Sequence, residues 1–332
     1  MTSLPDLTPD EDTLEPVETW PVERLLALQT DRLRWTLRHA YERVPYHKLA
    51  FDAARVHPDD FEALGDLARF PFTTSRDLRD TYPFTLVAVP RERIVHIRAA
   101  SAIGERPAVM AYTQKDTDIR RAVLARSLRA AGVRPGWLVH LADGAPGGNP
   151  NCGIEKYGCA VMPVFPGQAG NDVRLIADFM PEVIIASPAA LLALRDRLRA
   201  AGIDPRQSSF KLGICRARFW TEAARAAIED AFDMHAVATH GLCGMTGPGG
   251  AQECVETKDG LTIWEDHDYP EIIDPRTGRV LRDGEDGELV VTSLTREAMP
   301  VIRYRTGEIA RLLPGTARTM RRLRGAGLSG EP

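Results

Sequence analysis

The sequence predicts an α/β protein. Its larger part is a mostly parallel sheet flanked by helices, and its smaller part is rich in antiparallel strands. Two rhythms in the chain carry that reading. Between Thr113 and Phe232, short apolar runs (WLVHLA, AVMPVF, EVIIAS, FKLGIC) alternate with helical stretches of about a dozen residues, which marks βαβ units with helices on both faces. Past Gly250 the helical stretches give way to GLTIWED, PEIIDP, GELVVTSL and VIRYRT, separated by turns such as DPRTG and DGEDG. A composition of 44% hydrophobic and 27% charged residues over 332 positions is that of a globular protein with a real core, not of a disordered or membrane chain.

The elements follow in order. Residues 1–20, acidic and proline-bearing, read as a flexible leader without the basic start and apolar stretch of a signal peptide. From Pro21 to Val44 the spacing of Leu25, Leu28, Leu33, Leu37 and Ala40 predicts an amphipathic helix. DDFEALGDLARFPFTTSRDLRD predicts two short helices broken at Pro71. A helix through DTDIRRAVLARSLRAAG ends at Gly132, and the strand–helix alternation then runs through TEAARAAIEDAF. The expected organisation is an α/β core over 21–250, a β-rich subdomain over 251–322 and a tail over 323–332. No repeat of fixed period is present.

With 42 Lys and Arg against 46 Asp and Glu, the net charge is −4, which argues against a nucleic-acid partner, and nothing in the chain calls for a membrane. The five cysteines, Cys152, Cys159, Cys215, Cys243 and Cys254, form no CxxC pair, so a reduced cytoplasmic setting is expected.

One long stretch is more specific. AQECVETKDGLTIWEDHDYPEIIDPRTG, then GELVVTSLTREAMPVIRYRTGEIARLL and TARTMRR, together with YERVPYHK, DLARFPFTTSRDLRDTYPF and SLRAAGVRPG, resembles the phenylacetate-CoA ligase family of adenylate-forming enzymes from about Tyr41 to Arg322. The resemblance implies the large N-terminal domain of such a ligase. Members activate an aryl or aryl-acetic acid with ATP and magnesium and pass the acyl group to coenzyme A.

Several positions depart from the family's motifs. The phosphate loop, Ser-Ser-Gly-Thr-Thr-Gly-Lys-Pro-Thr in the family, corresponds to Ala100–Ala108 here, with Ser101, Gly104 and Arg106 as remaining candidates and Glu105 opposing phosphate. The adenine-facing turn becomes Arg216, Ala217, Arg218 and Phe219 before Trp220. Tyr-Gly-Leu-Ser-Glu becomes His240, Gly241, Leu242, Cys243 and Gly244, so the position of the magnesium glutamate carries no oxygen ligand. The ribose aspartate corresponds to Glu308, after Arg305. The chain ends about where the family's hinge leads into the lid domain with its adenylation lysine, so that domain is expected to be absent.

These departures predict loss of ATP-dependent adenylation, with ATP and magnesium not expected and no cofactor required. The expected replacement is an ATP-independent acyl or aryl transfer in biosynthesis, from a coenzyme A or phosphopantetheine thioester to a thiol or amine. Cys243 would be the acyl carrier and His240 its base. Arg216 and Arg218 would meet the phosphates, with Trp220, Gly241 and Gly244 lining the slot. Asp143, Asn149, Asn151 and Cys152 would line a shortened acyl pocket. A carrier protein or a complete CoA ligase is the expected partner. A small residue at the family's serine position accounts for Cys243 equally well, and a non-catalytic pseudo-ligase or a residual aryl-CoA ligase are the alternatives. Cys159 and Cys215 read as core fillers, and Cys254, His267, Glu253, Glu265 and Asp266 as structural, so no metal site is expected.

Overall fold

The computed structural model describes residues 4–100, 107–142, 151–163, 172–216, 220–241 and 250–328. They fall into two units. The first takes residues from 4–14, 121–241 and 250–262, and the second takes residues from 15–120 and 263–328.

The second unit opens with helix α1 (Val22–Arg43), which buries Leu25, Gln29, Leu33, Thr36, Leu37 and Ala40 along one stripe. Pro45 then starts α2 (Pro45–Ala54) at the one helical position where its missing N–H costs nothing. The predicted pair of short helices is a 3₁₀ segment, Leu64–Arg69, and α3 (Ser75–Asp80). Thr74 and Asp77 cap α3 reciprocally, since the Thr74 hydroxyl accepts from the Asp77 N–H and the Asp77 carboxylate accepts from the Thr74 N–H. Next comes a ribbon of two antiparallel strands, β1 (His96–Ala100) and β2 (Ala108–Tyr112). Helix α4 (Gln114–Ala130) continues into the first unit. Gly132 ends it at φ +93°, where an added Cβ would lie 2.8 Å from the Leu7 Cβ, so only glycine fits.

In the first unit, β3 (Leu138–Leu141), β4 (Ala160–Pro163), β5 (Val183–Ala186), β6 (Leu212–Arg216) and β7 (His235–His240) are parallel, in the order β7-β6-β5-β3-β4. They alternate with α5 (Asn151–Lys156), α6 (Asp172–Phe179), α7 (Pro188–Ala200) and α8 (Glu222–Phe232). Successive strand residues feed opposite cores. Val183, Leu212, Ile214 and Val237 join one cluster with Leu128 and Ile154, and Ile184, Cys215 and Ala236 join another with Leu191, Leu194 and Phe232. That is why the strands read as continuous apolar runs. β8 (Ala251–Glu253) pairs antiparallel with β7, and β9 (Leu261–Ile263) follows it.

The second unit resumes as an antiparallel meander of β10 (Asp268–Ile273), β11 (Gly287–Ser293), β12 (Tyr304–Leu313) and β13 (Arg322–Leu328). Residues 323–328, expected as part of a tail, thus pair along β12. Residues 4–20, expected as a flexible leader, are anchored. In the first unit Leu7 is buried, His235 donates to the Pro5 carbonyl and Arg134 to that of Asp6. In the second unit buried Glu18 accepts from Arg318 at 2.7 Å. One apolar residue, two hydrogen bonds to backbone carbonyls and one distant ion pair do this, and none leaves a local signal in sequence.

Two buried histidines make stability depend on pH. Burial pushes His47, whose Nε2–H donates to the Pro300 carbonyl, down to about 4, and does the same to His140 within β3. A lowered histidine means that the folded chain binds fewer protons than the unfolded one between about pH 6.5 and 4. Stability is then full above that window and falls as pH drops through it, by up to about 3 kcal/mol per group. Asp268, pushed up to about 6 by burial, favours its neutral form and offsets part of this fall below pH 6. Denaturation midpoints should decline from pH 7 to pH 5, with a shallower slope in His140→Leu; equal slopes would contradict the assignment.

Candidate functional site

In an open parallel sheet, ligands meet the carboxyl ends of the strands, where loops from neighbouring βα units converge. Four stretches outside the described residues, 143–150, 164–171, 217–219 and 242–249, follow β3, β4, β6 and β7 within one residue in sequence. Of the residues singled out above, Ser101, Gly104, Arg106, Asp143, Asn149, Arg218, Cys243 and Gly244 lie outside the described residues. Asn151 and Cys152 open α5, with their side chains not described.

The described part of this edge is small and well braced. Arg216 ends β6 and pairs in register with Thr239, the residue before His240. His240 ends β7 opposite Ala251 and is followed by Gly241, and all of Arg216, His240 and Gly241 are half-buried. The brace is an ion pair that sequence reading passed over. Arg225 of α8 meets Glu253 of β8 in a two-pronged contact, Nη1–Oε2 2.9 Å and Nη2–Oε1 2.7 Å. Nη1 also donates to the Ala236 carbonyl, and Glu253 Oε2 accepts from the Ala238 N–H at 2.8 Å, so the pair clasps β7 two and four residues before His240. Trp220 packs against the core under α8, with the Arg225 guanidinium 5.3 Å over its ring. Burial pushes the Cys215 thiol up to about 12, so it is an inert core residue.

A second group of candidates sits in the other unit. Between Val290↔Arg305 and Glu288↔Ile309 the β11–β12 register shifts, and Thr306, Gly307 and Glu308 bulge out of β12. Glu288 holds the bulge: one oxygen accepts from the Arg305 guanidinium (Nε 3.0 Å) and the other from the Gly307 N–H at 3.1 Å. Thr306 Oγ1 donates to the Leu289 carbonyl and accepts from the Glu308 N–H. Glu308 is 8% exposed on this fixed bulge. Arg305 is thereby a bulge brace, engaged by Glu288 and the Pro275 carbonyl.

Among the described residues no group of three His, Cys, Asp or Glu is placed to hold a metal ion. Glu253 pairs with Arg225, Glu265 with Arg321, Cys254 contacts the Thr262 hydroxyl at 3.4 Å, and His267 contacts that of Thr295 at 3.1 Å.

The fold is that of the larger part of a CoA ligase. The chain superposes on 2-hydroxyisobutyryl-CoA ligase, solved with 2-HIB-AMP and CoA, at a TM-score of 0.87 over 95% of this chain and 72% of that one, with 24% identity. No family model matches the chain. It is 52% identical over 324 residues to the phenylacetate-coenzyme A ligase of Aromatoleum evansii, covering 96% of this chain and 74% of that protein. To the enzyme of the same name from Escherichia coli K12 it is 50% identical over 315 residues, 93% of this chain and 72% of that one. The chain belongs to the phenylacetate-CoA ligase family.

That finding corrects the sequence reading. Four curated phenylacetate-CoA ligases at 43–52% identity point to a ligase and overturn the expected thioester transferase. The Cys243–His240 relay goes with it. So does the expectation that no cofactor is required and that ATP and magnesium play no part, since the relatives are coenzyme A ligases and the solved 2-hydroxyisobutyryl-CoA ligase holds 2-HIB-AMP and CoA. Donors missing from single motifs are outweighed by identity that extends over most of the chain.

Proposed function

We propose that this chain joins an arylacetic acid, with phenylacetate as the reference substrate, to coenzyme A at the expense of ATP. The observation that carries this reading is 52% identity to a phenylacetate-CoA ligase sustained over 96% of the chain. In the first step a carboxylate oxygen attacks the α-phosphorus of ATP, a C–O–P linkage forms and pyrophosphate leaves. In the second, the CoA thiolate attacks the acyl carbonyl, the C–S bond forms and AMP leaves.

His240, at the position of the family's adenine tyrosine, offers a flat ring to the base. The Arg225–Glu253 clasp on β7 fixes where that ring starts. Glu308 accepts hydrogen bonds from the ribose hydroxyls, and its bulge is held by Glu288 and Arg305. The family's magnesium position is Gly244, which supplies no side-chain oxygen, so no step is assigned to a metal held by this chain. Among the described residues no helix is long and apolar enough to cross a membrane. A cytoplasmic setting, where ATP and CoA are at hand, suits the reading.

Stacking of a base on an aromatic ring contributes about 1–3 kcal/mol. His240→Ala should therefore raise KM for ATP about tenfold or more with a smaller change in kcat, and His240→Tyr should restore it. An unchanged KM for ATP in His240→Ala would remove His240 from the adenine site. The function itself is tested by ATP-dependent formation of phenylacetyl-CoA.

A further inference from the structure

The side chains of β1 and β2 include an arginine, a histidine and a tyrosine but no carboxylate. Into and along β1 the exposure alternates: Val95, just before the strand, and Ile97 face solvent at 55% and 49%, while His96 and Arg98 turn to the partly covered side. Across the ribbon, His96 lies opposite Tyr112 and Arg98 opposite Met110, so Tyr112 is the diagonal neighbour of Arg98 on that covered face. The His96 and Tyr112 rings are 5.7 Å apart, and the Arg120 guanidinium stands 4.5 Å over the Tyr112 ring.

Two of these side chains have shielded polar atoms without partners. Arg98 Nε and Nη1 are out of solvent with no hydrogen bond, and the Tyr112 hydroxyl, on a residue 2% exposed, is likewise unbonded. His96 is held below the usual imidazole range by burial first and then by the nearby charges of Arg120 and Arg98. Folded proteins rarely leave a shielded guanidinium edge and a buried hydroxyl unsatisfied unless something else completes them. Two arginines, an imidazole and a phenol hydroxyl select an anion, and the planar guanidinium fork matches the paired oxygens of a phosphoryl group.

We propose that Arg98, with Tyr112 and Arg120, is a phosphoryl-binding site that receives the polyphosphate of ATP in the ligation reaction. The proposal rests on the ligase reading. It also supplies what the sequence lacks: β1 and β2 flank residues 101–107, within the stretch that corresponds to the family's phosphate loop, where hydroxyls and two glycines of the family's motif are replaced. Donors on the ribbon would take over work that the loop's own side chains no longer do.

Pyrophosphate is the probe, titrated calorimetrically into the full chain and its variants. Wild type should bind it, Arg98→Gln should bind about tenfold more weakly or worse, and Arg98→Lys should fall between, because lysine keeps the charge but not the fork. Tyr112→Phe, which removes only the hydroxyl, should weaken binding severalfold. Thermal melts of Arg98→Gln and Tyr112→Phe should match or exceed wild type, since neither variant removes a bonded partner. ATP should displace pyrophosphate, whereas CoA and phenylacetate should not. Equal affinity in wild type and Arg98→Gln, no binding by wild type, or displacement by CoA or phenylacetate but not ATP would each overturn the proposal. ATP–pyrophosphate exchange with phenylacetate separates the two readings. Exchange with the same KM for ATP in Arg98→Gln sinks the site and leaves the ligase, and Arg98-dependent pyrophosphate binding without exchange does the reverse.

Discussion

Arg303→Ala should destabilise the protein by about 3–5 kcal/mol, because it strands a carboxylate in the core. Arg303 and Glu271 are 2% and 5% exposed and meet through two parallel contacts of 3.0 Å. Arg303 Nη1 also donates to the carbonyls of Ala68 and Phe70, and the guanidinium lies 4.1 Å from the centre of the Phe72 ring. One side chain therefore ties β10 to the segment between the early helices and α3. Its backbone is left-handed at φ 44°, a conformation that persists in a non-glycine residue only when its surroundings enforce it. Burial pushes Glu271 upward while Arg303 pulls it back, so removing the arginine leaves a carboxyl that must protonate or be solvated. The double variant Arg303→Met/Glu271→Leu should recover much of the loss. A loss under about 1 kcal/mol in Arg303→Ala, measured by urea denaturation, would mean that water replaces the pair.

Arg225→Ala should cost a similar amount, about 3–5 kcal/mol, and should also disturb the candidate site. The guanidinium is 6% exposed and Glu253 3%, and together they hold the Ala236 carbonyl and the Ala238 N–H of β7. Without the arginine, Glu253 keeps its contact to β7 but loses its charge partner, and the strand end that carries His240 loses a brace. KM for ATP should rise together with the stability loss, whereas Arg303→Ala should leave KM near wild type in whatever fraction stays folded. If KM for ATP is unchanged in Arg225→Ala, the brace is structural only.

The parallel sheet was readable because its strands are buried on both faces, which forces runs such as EVIIAS and FKLGIC. The meander was readable from its turns. The ribbon of β1 and β2 was not, because HIRAA and AVMAY flank a stretch first weighed for its phosphate-binding chemistry, although Val95-His96-Ile97-Arg98 alternates as a strand should. Long-range ion pairs such as Glu18–Arg318 were invisible, since charges so far apart in the chain carry no mutual signal. Arg98 and Tyr112 were missed for a different reason. A shielded donor without a partner exists only once the fold has brought its neighbours into place.

The candidate site was legible only in part. His240 and Arg216 end neighbouring parallel strands, and Glu308 lies on a braced bulge. The activity was misjudged because Ala102, Glu105 and Gly244 were weighed as losses one motif at a time, while identity to a phenylacetate-CoA ligase extends across nearly the whole chain.

Purified chain should be incubated with phenylacetate, magnesium, ATP and CoA, and phenylacetyl-CoA and AMP quantified by liquid chromatography and mass spectrometry. Equimolar thioester and AMP, both abolished when ATP is omitted, is what a ligase must yield. Folded protein that makes neither from phenylacetate, nor from a panel of other arylacetic acids, would show that this chain does not ligate.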